Sequence, residues 1–452
     1  MFNNKAYILI SVLGFILVFM VLGAAVTQMV TADTNLQINL KHSKQALAAA
    51  EAGVQRILGL IANNKLDSYC TKVNTDNYTC NGTLSDNMNY LANIDLANST
   101  IEAQGFFVDS TYSIYVEFKK GRDFYSFAVN GKFDISDFSS VGKGENWSDN
   151  TTVGVKEIDQ TLAEDMRNKN FDIEIRSDLD LPRVSDINVN LWKPNSSSCD
   201  YGDFSSDITI SANLIDKNGD GKVVVCANNL SLDDSLIYFQ NDLIIFAEGD
   251  INFTRNTTLK KRTGSDADLT IISLGKMNFD DNSNIDFAGA DAGYNILLYA
   301  KEGIESDDTT GQWISISGNQ NTDRISNVFI LTPDKVEVDR DLIDDTAKTR
   351  NDVNFIIWAD KGIESTNGGF DISGSSDTER NFSIIVADGD ANFDRWQYTG
   401  SETRAGLTYE KIVNYCNSTD IPEFYRNIYC ELKDQIENGD GKKIKIISWR
   451  VE

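Results

Sequence analysis

The chain has 452 residues, longer than one compact module, which sets an expectation of two or three domains that each bury a core. Its 41 Lys and Arg stand against 68 Asp and Glu, a formal net charge of -27, which repels nucleic acid and leaves no expectation of a DNA or RNA partner. Four Pro against 31 Gly, with Asp, Asn and Ser crowded between short apolar runs, is the composition of many tight turns joining many short strands.

The first element in chain order is a helix. Ala6 to Ala32 contains no charged residue. At about 1.5 Å per residue this run crosses a hydrocarbon core of about 30 Å. Lys5 precedes it in a short tail, which places the N-terminus in the cytoplasm and the remainder outside. A cleaved signal peptide is the other reading, but the run is longer than a usual apolar region of that kind and no A-x-A site closes it. Thr31 to Asn64 then continues as a polar helix with Leu36, Leu40, Ser43, Leu47, Ala50, Val54, Ile57 and Ile61 on one stripe. That stripe predicts contact with a globular head or with a neighbouring helix.

A short Lys-containing leader, an apolar helix close behind it and the run Ala49-Ala50-Glu51-Ala52-Gly53 within QALAAAEAGVQRIL are together similar to type IV pilin-like proteins, specifically minor pilins of the PilX kind. The resemblance covers about the first 60 residues. It implies removal of residues 1–6 by cleavage between Ala6 and Tyr7, and a helix 7–64 that assembles with other pilin-like subunits into a filament. In that family the fifth mature residue is usually a Glu that pairs with a neighbouring subunit's N-terminus. Here it is Ser11. Related tip subunits of type II secretion pseudopili also lack that Glu, so the resemblance implies a minor, tip-located subunit. Ser11, Ala49, Ala50, Glu51, Ala52 and Gly53 are its expected assembly residues. The location implied is the cytoplasmic (inner) membrane for the helix and the cell exterior, or a surface filament, for the rest.

After the helix, IEAQGFFVDS, TYSIYVEFKK and RDFYSFAVNGKF are aromatic, alternating segments, with Lys120-Gly121-Arg122 at a hairpin position. They predict a small antiparallel sheet head over 65–138, followed by a weakly patterned connector over 139–204. LIIFAEGDINF, TIISLGKMNF, ILLYAKEGIES, VFILTPDKVEV, FIIWADKGIES and SIIVADGDANF then align on Ala247, Ser273, Ala300, Thr332, Ala359 and Ala387. Their spacings of about 26, 27, 32, 27 and 28 residues lie in the range of stacked repeat units. With second strands such as SNIDFAG, WISISG and GFDISG between them, a parallel β-helix over 205–400 fits better than a propeller or an immunoglobulin-like array. The segment 401–452 reads as an amphipathic helix, a turn and a closing strand that cap the open end of the solenoid. The fold class is therefore an α+β pilin-like module followed by a mainly-β solenoid.

The six cysteines fall as three sequence-local pairs, Cys70–Cys80, Cys199–Cys226 and Cys416–Cys430. Proximity suggests these disulfides, which imply an oxidising compartment. Asp216, Asn218 and Asp220 match the start of a calcium loop, yet its twelfth position is Ala227, so a weak Ca2+ site and a plain turn both fit. The single His42 lies on the N-terminal helix, which excludes Ser-His-Asp and Cys-His machinery in the head. Asp280, Asp281, Asp307 and Asp308 are carboxylates that a carbohydrate-active β-helix enzyme would use. Tyr299, Trp313 and Trp358 are the aromatics that a glycan-binding ladder would use. Eleven N-x-[ST] sequons, at Asn77, Asn81, Asn98, Asn146, Asn150, Asn195, Asn229, Asn252, Asn256, Asn381 and Asn417, are compatible with surface glycosylation. The functional expectation is a non-catalytic filament subunit that displays a solenoid to a glycan, cell-surface or cargo target. The alternative is a membrane-tethered carbohydrate-active enzyme exported by the same route.

Overall fold

The apolar run and the stripe behind it form one continuous helix, α1 (Asn4–Ala62). A computed structural model of the chain describes residues 4–451 apart from 63–64, 75, 86, 97, 121, 138–150, 178, 234–235, 255, 263–264, 266, 281, 288–292, 307–311, 318–324, 346–352, 373–378, 399–402 and 439–443. These residues divide into two units, Met1–Gly121 with Asp440–Glu452, and Arg122–Gly439.

The first unit is the head. After α1 come α2 (Leu66–Tyr69), β1 (Thr71–Lys72), β2 (Asn77–Ser85), β3 (Met88–Asp95), β4 (Thr100–Phe107) and β5 (Ser110–Lys120). They form an antiparallel sheet in sequence order, and the C-terminal strand, Ile444–Val451, adds beside β5. Period-two alternation turns Tyr90, Ala92, Ile94, Ile101, Ala103, Ile114, Val116 and Phe118 to one face, where they bury Ala50, Val54, Ile57 and Ile61 of α1. Small residues let the helix approach closely: a Cβ on Gly53 would stand 2.8 Å from the Tyr90 ring. Cys70–Cys80 ties the segment after α1 to β2, with the two Cα atoms 4.5 Å apart.

The second unit is a three-sided parallel solenoid. Its first face stacks Lys222–Ala227, Asp242–Ala247, Leu269–Ser273, Asn295–Ala300, Ser326–Thr332, Val353–Ala359 and Glu379–Val386 in register. The aligned positions Ala247, Ser273 and Ala300 are direct register partners, as are Thr332 and Ala359. The described residues of SNIDFAG, WISISG and GFDISG, up to Phe287, Ile316 and Ile372, lie on a third face, where Ile285 pairs with Ile314 and Ile343 with Phe370. Three strands per coil follow from these pairings. Inward side chains from all three faces form one continuous apolar core.

The chain enters this solenoid at the end of the last coil. β6 (Phe127–Asp137) pairs in parallel with the strands at Ile384–Val386 and Ala391–Phe393, β7 (Thr151–Ile158) pairs with β6, and β8 (Phe171–Ile175) with β7. Helix α3 (Gln160–Arg167) lies between β7 and β8; Asp159 caps its N-terminus and Leu162 and Met166 enter the core. Residues 179–204 then run back along the outside of the first face. Trp358 Nε1 donates to the Pro182 carbonyl, Trp192 meets Tyr299 edge-on, and Phe204 meets Phe246. At the first coil, Cys199–Cys226 and the parallel bridge between Tyr201 and Val225 hold the turn into the stack. Helices α4 (Tyr409–Asn417) and α5 (Glu423–Asn438), joined by Cys416–Cys430, pack Ile412, Tyr425, Ile428, Tyr429 and Leu432 against the same face.

Three boundaries are thereby corrected. Residues 127–137 belong to the solenoid rather than the head, because their unpaired alternation fits a parallel stack as well as an antiparallel hairpin. Residues 151–175, read as connector, are also coil strands with a short helix. The closing segment does not cap the solenoid's end: α5 covers its side, and Ile444–Val451 completes the head sheet. The ends are covered instead by β6–β8 with α3, and by residues 199–221, from which Ile210 and Leu214 reach the core.

Candidate functional site

Along α1 the apolar surface divides in two. Val12 to Val30 is exposed throughout its large side chains, and the helix is long and apolar enough to cross a membrane. A membrane anchor and a signal sequence both pass that test. Past Ala32 the stripe remains open at Leu36 and Leu40, 58% and 54% exposed, and becomes buried from Ala46 onwards. Ala6, Tyr7 and Ser11 lie in the first turns of α1 as backbone positions.

The run Ala49-Ala50-Glu51-Ala52-Gly53 is used inside the chain. Ala49 and Ala50 are fully buried, Gly53 packs on Tyr90, and a Cβ on Gly105 of β4 would meet the Ala46 carbonyl oxygen at 2.0 Å. Within this chain, Ala49, Ala50 and Gly53 pack against the sheet of their own unit. Glu51 alone of the run is exposed, and Ala52 is half-buried.

The loop at Asp216, Asn218 and Asp220 holds itself. Asp216 Oδ1 accepts from the amides of Asn218 at 3.1 Å and Gly219 at 2.6 Å, and its Oδ2 accepts from Gly221 at 2.8 Å. Asn218 and Asp220 accept from the amides of Asp220 and Lys222. Gly219 and Gly221 have φ of 77° and 87°, the left-handed region that makes this turn a glycine position. These amides, Gly221's first, hold the Asp216 carboxyl below the usual carboxylate range. Among the described residues, no group of three or more His, Cys, Asp or Glu is placed to hold a metal ion.

The remaining candidates separate by burial. Asp280 is exposed, whereas Asp281, Asp307 and Asp308 lie outside the described residues. Tyr299, Trp313 and Trp358 are at most 1% exposed, so they form no external glycan ladder. Trp313 faces the coil interior, and the other two lie beneath residues 179–204. Sequons Asn81, Asn98, Asn195, Asn256 and Asn417 are exposed, Asn77, Asn229 and Asn252 are half-buried, Asn381 is fully buried, and Asn146 and Asn150 lie outside the described residues. All three expected disulfides form.

Two side-chain ladders were missed in the sequence. Glu305, Glu337 and Glu364 stack directly in register on the second face, an arrangement that repels unless cations intervene. Lys276 reaches Glu305 at 2.5 Å, and Lys335 reaches Glu337 at 2.7 Å and Glu364 at 3.9 Å. The second ladder is buried. Asn295, Asn327, Asn354 and Asn381 form an amide ladder in which each Nδ2 donates to the Oδ1 of the coil before, at 2.6, 2.9 and 2.9 Å. Asn295 donates onward to Asp268 at 3.1 Å, Lys411 of α4 donates to Asn381 at 2.8 Å, and Tyr429 of α5 donates to Asn327 at 2.6 Å. The signal was present: in four consecutive coils an Asn stands at one register position, one or two residues before the aligned first-face segment.

Comparison with protein-family models, with curated proteins and with solved structures returned no match.

Proposed function

We propose that this protein is a non-catalytic subunit of a type IV pilin-like filament, tethered or assembled through α1, that presents its solenoid to an external surface, cell or secreted cargo. The observation that carries the reading is the division of α1. One half carries no charge between Ala6 and Ala32 and exposes its large apolar side chains from Val12 to Val30, and the other is locked against a small antiparallel sheet by Ala50, Val54, Ile57 and Ile61. A helix of this kind needs lipid or other helices around its first half. Three disulfides fit an oxidising exterior for both units. Ser11, where a pairing carboxylate would stand in a shaft subunit, supports a tip position.

The test is mass spectrometry of purified surface filaments together with immunogold labelling. The expected result is recovery of this chain with Tyr7 as its first residue and label confined to filament ends. Absence from filaments overturns assembly, an intact Met1 overturns processing, and label along the shaft overturns the tip position.

A further inference from the structure

We infer that the solenoid is an insert carried by a self-sufficient assembly module. Contacts with neighbouring membrane-helix subunits then belong to residues 4–120 and 444–451, and contacts with an external target to residues 122–438. The inference rests on the filament-subunit reading above and assigns its two activities to separate parts of the chain.

On the host side, Lys120 and Ile444 are register partners across the antiparallel pair made by β5 and the C-terminal strand. Everything between them therefore occupies the position of one hairpin loop. The head sheet takes its sixth strand from beyond the solenoid, so the head is completed only by a chain that leaves and returns. A tandem arrangement would have left the head complete before the solenoid began.

On the insert side, the first and last residues are bound to one another by the insert's own groups. The Arg122 amide donates to the Ile436 carbonyl at 3.0 Å. Its guanidinium, 6% exposed as a residue, donates through Nη1 to Gln435 Oε1 at 2.7 Å and meets Asp186 at 2.6 Å through Nη2. Gln435 Oε1 also accepts from the Arg183 amide at 2.8 Å, while its Nε2 donates to the Arg183 carbonyl at 3.0 Å. A buried, charge-assisted knot of this kind closes the insert's ends without help from the host. Each unit also has its own apolar core and its own disulfides: Cys70–Cys80 in the head, and Cys199–Cys226 and Cys416–Cys430 in the solenoid.

The experiment begins with the full-length protein carrying a site-specific protease sequence at residue 121 and another at 441. Cleavage is expected to release residues 122–438 as a soluble species with the melting temperature of the solenoid in the intact chain. Unfolding or precipitation on release overturns the inference. A second variant replaces 121–443 with Asn-Gly, a two-residue turn that joins Lys120 to Ile444 in register. It is expected to fold, to form Cys70–Cys80 and to enter filaments at the wild-type level. A variant that fails to fold, or that folds and is excluded from filaments containing the wild-type chain, overturns the inference. Wild-type chain missing from filaments overturns the filament reading itself, which distinguishes the two failures.

Discussion

Gly105 of β4 and Ala46 of α1 approach until no methyl group fits between them: a Cβ on Gly105 would stand 2.0 Å from the Ala46 carbonyl oxygen and 2.3 Å from the Ala50 amide nitrogen. The obstacle is helix backbone, which cannot rotate aside. Gly105→Ala is therefore expected to lift α1 from the sheet and cost about 1–3 kcal/mol of head stability. Gly53→Ala meets only the Tyr90 ring at 2.8 Å and is expected to cost less. Calorimetry of the intact chain checks both, since the head transition should fall while the solenoid transition stays in place.

The amide ladder makes a second prediction. Asn354→Ala removes the acceptor for Asn381 Nδ2 and leaves that buried donor without it, while Asn327 Oδ1 keeps the Tyr429 hydroxyl. The orphaned donor costs about 1–3 kcal/mol. Urea titration should show a lower midpoint at unchanged slope. An unchanged midpoint would mean that water repairs the ladder.

Alkaline pH should expose the aromatic cover of the first face. Burial raises the Tyr299 phenol from its ordinary 10.0 to about 12. The folded state therefore holds that proton more tightly than the unfolded chain. Its contribution is complete below pH 10.0 and is lost as the pH rises towards about 12. Tyr299→Phe should flatten the fall in melting temperature over that window, as measured by a pH series of thermal melts.

Acid acts through Asp216 with the opposite sign. Backbone amides depress its pKa from 3.8, so it stabilises the fold above that value and the contribution disappears as the pH drops through the lower folded value. Asp216→Ala is expected to lower the solenoid melting temperature at pH 7 and to reduce its loss in acid. A chelator should leave the wild-type melting temperature where it was, because these oxygens are already satisfied by amides. A fall on chelation would establish a calcium site.

Local signals were legible in the sequence wherever the cause is local. The uncharged run predicts α1, the six aligned segments predict the coils, one residue out of register at the last, where Val386 rather than Ala387 stands against Ala359, and the sequence-near cysteines predict their bonds. Tertiary pairing was not legible. The alternation in Phe127–Asp137 resembles that of β5, and nothing nearby shows that its partners are Ile384–Val386 and Ala391–Phe393. Ile444–Val451 likewise reads as a closing strand without showing which sheet it closes. At the candidate site, AAEAG carries a resemblance but not its contacts: the same small residues suit a subunit interface or an internal helix–sheet seam, and the close approach of Gly105 to Ala46 and Ala50, which makes such a seam, is not legible nearby in the sequence. Trp358 and Tyr299 alternate outward as a binding ladder would, and only residues 179–204, far off in sequence, show that they are covered.

The threading of β6 onto the final coil has a consequence for how the chain is made. Asn130 Nδ2 donates to the Ala387 carbonyl, so a strand emerging early finds its seat only after another 257 residues have followed. Loop closure over such a span is slow. The coils from Lys222 onwards pair with their sequence neighbours and can stack as they appear, whereas β6 has no coil to join until Ile384–Val386 and Ala391–Phe393 are in place, so the oldest strand of the solenoid is the last to be seated.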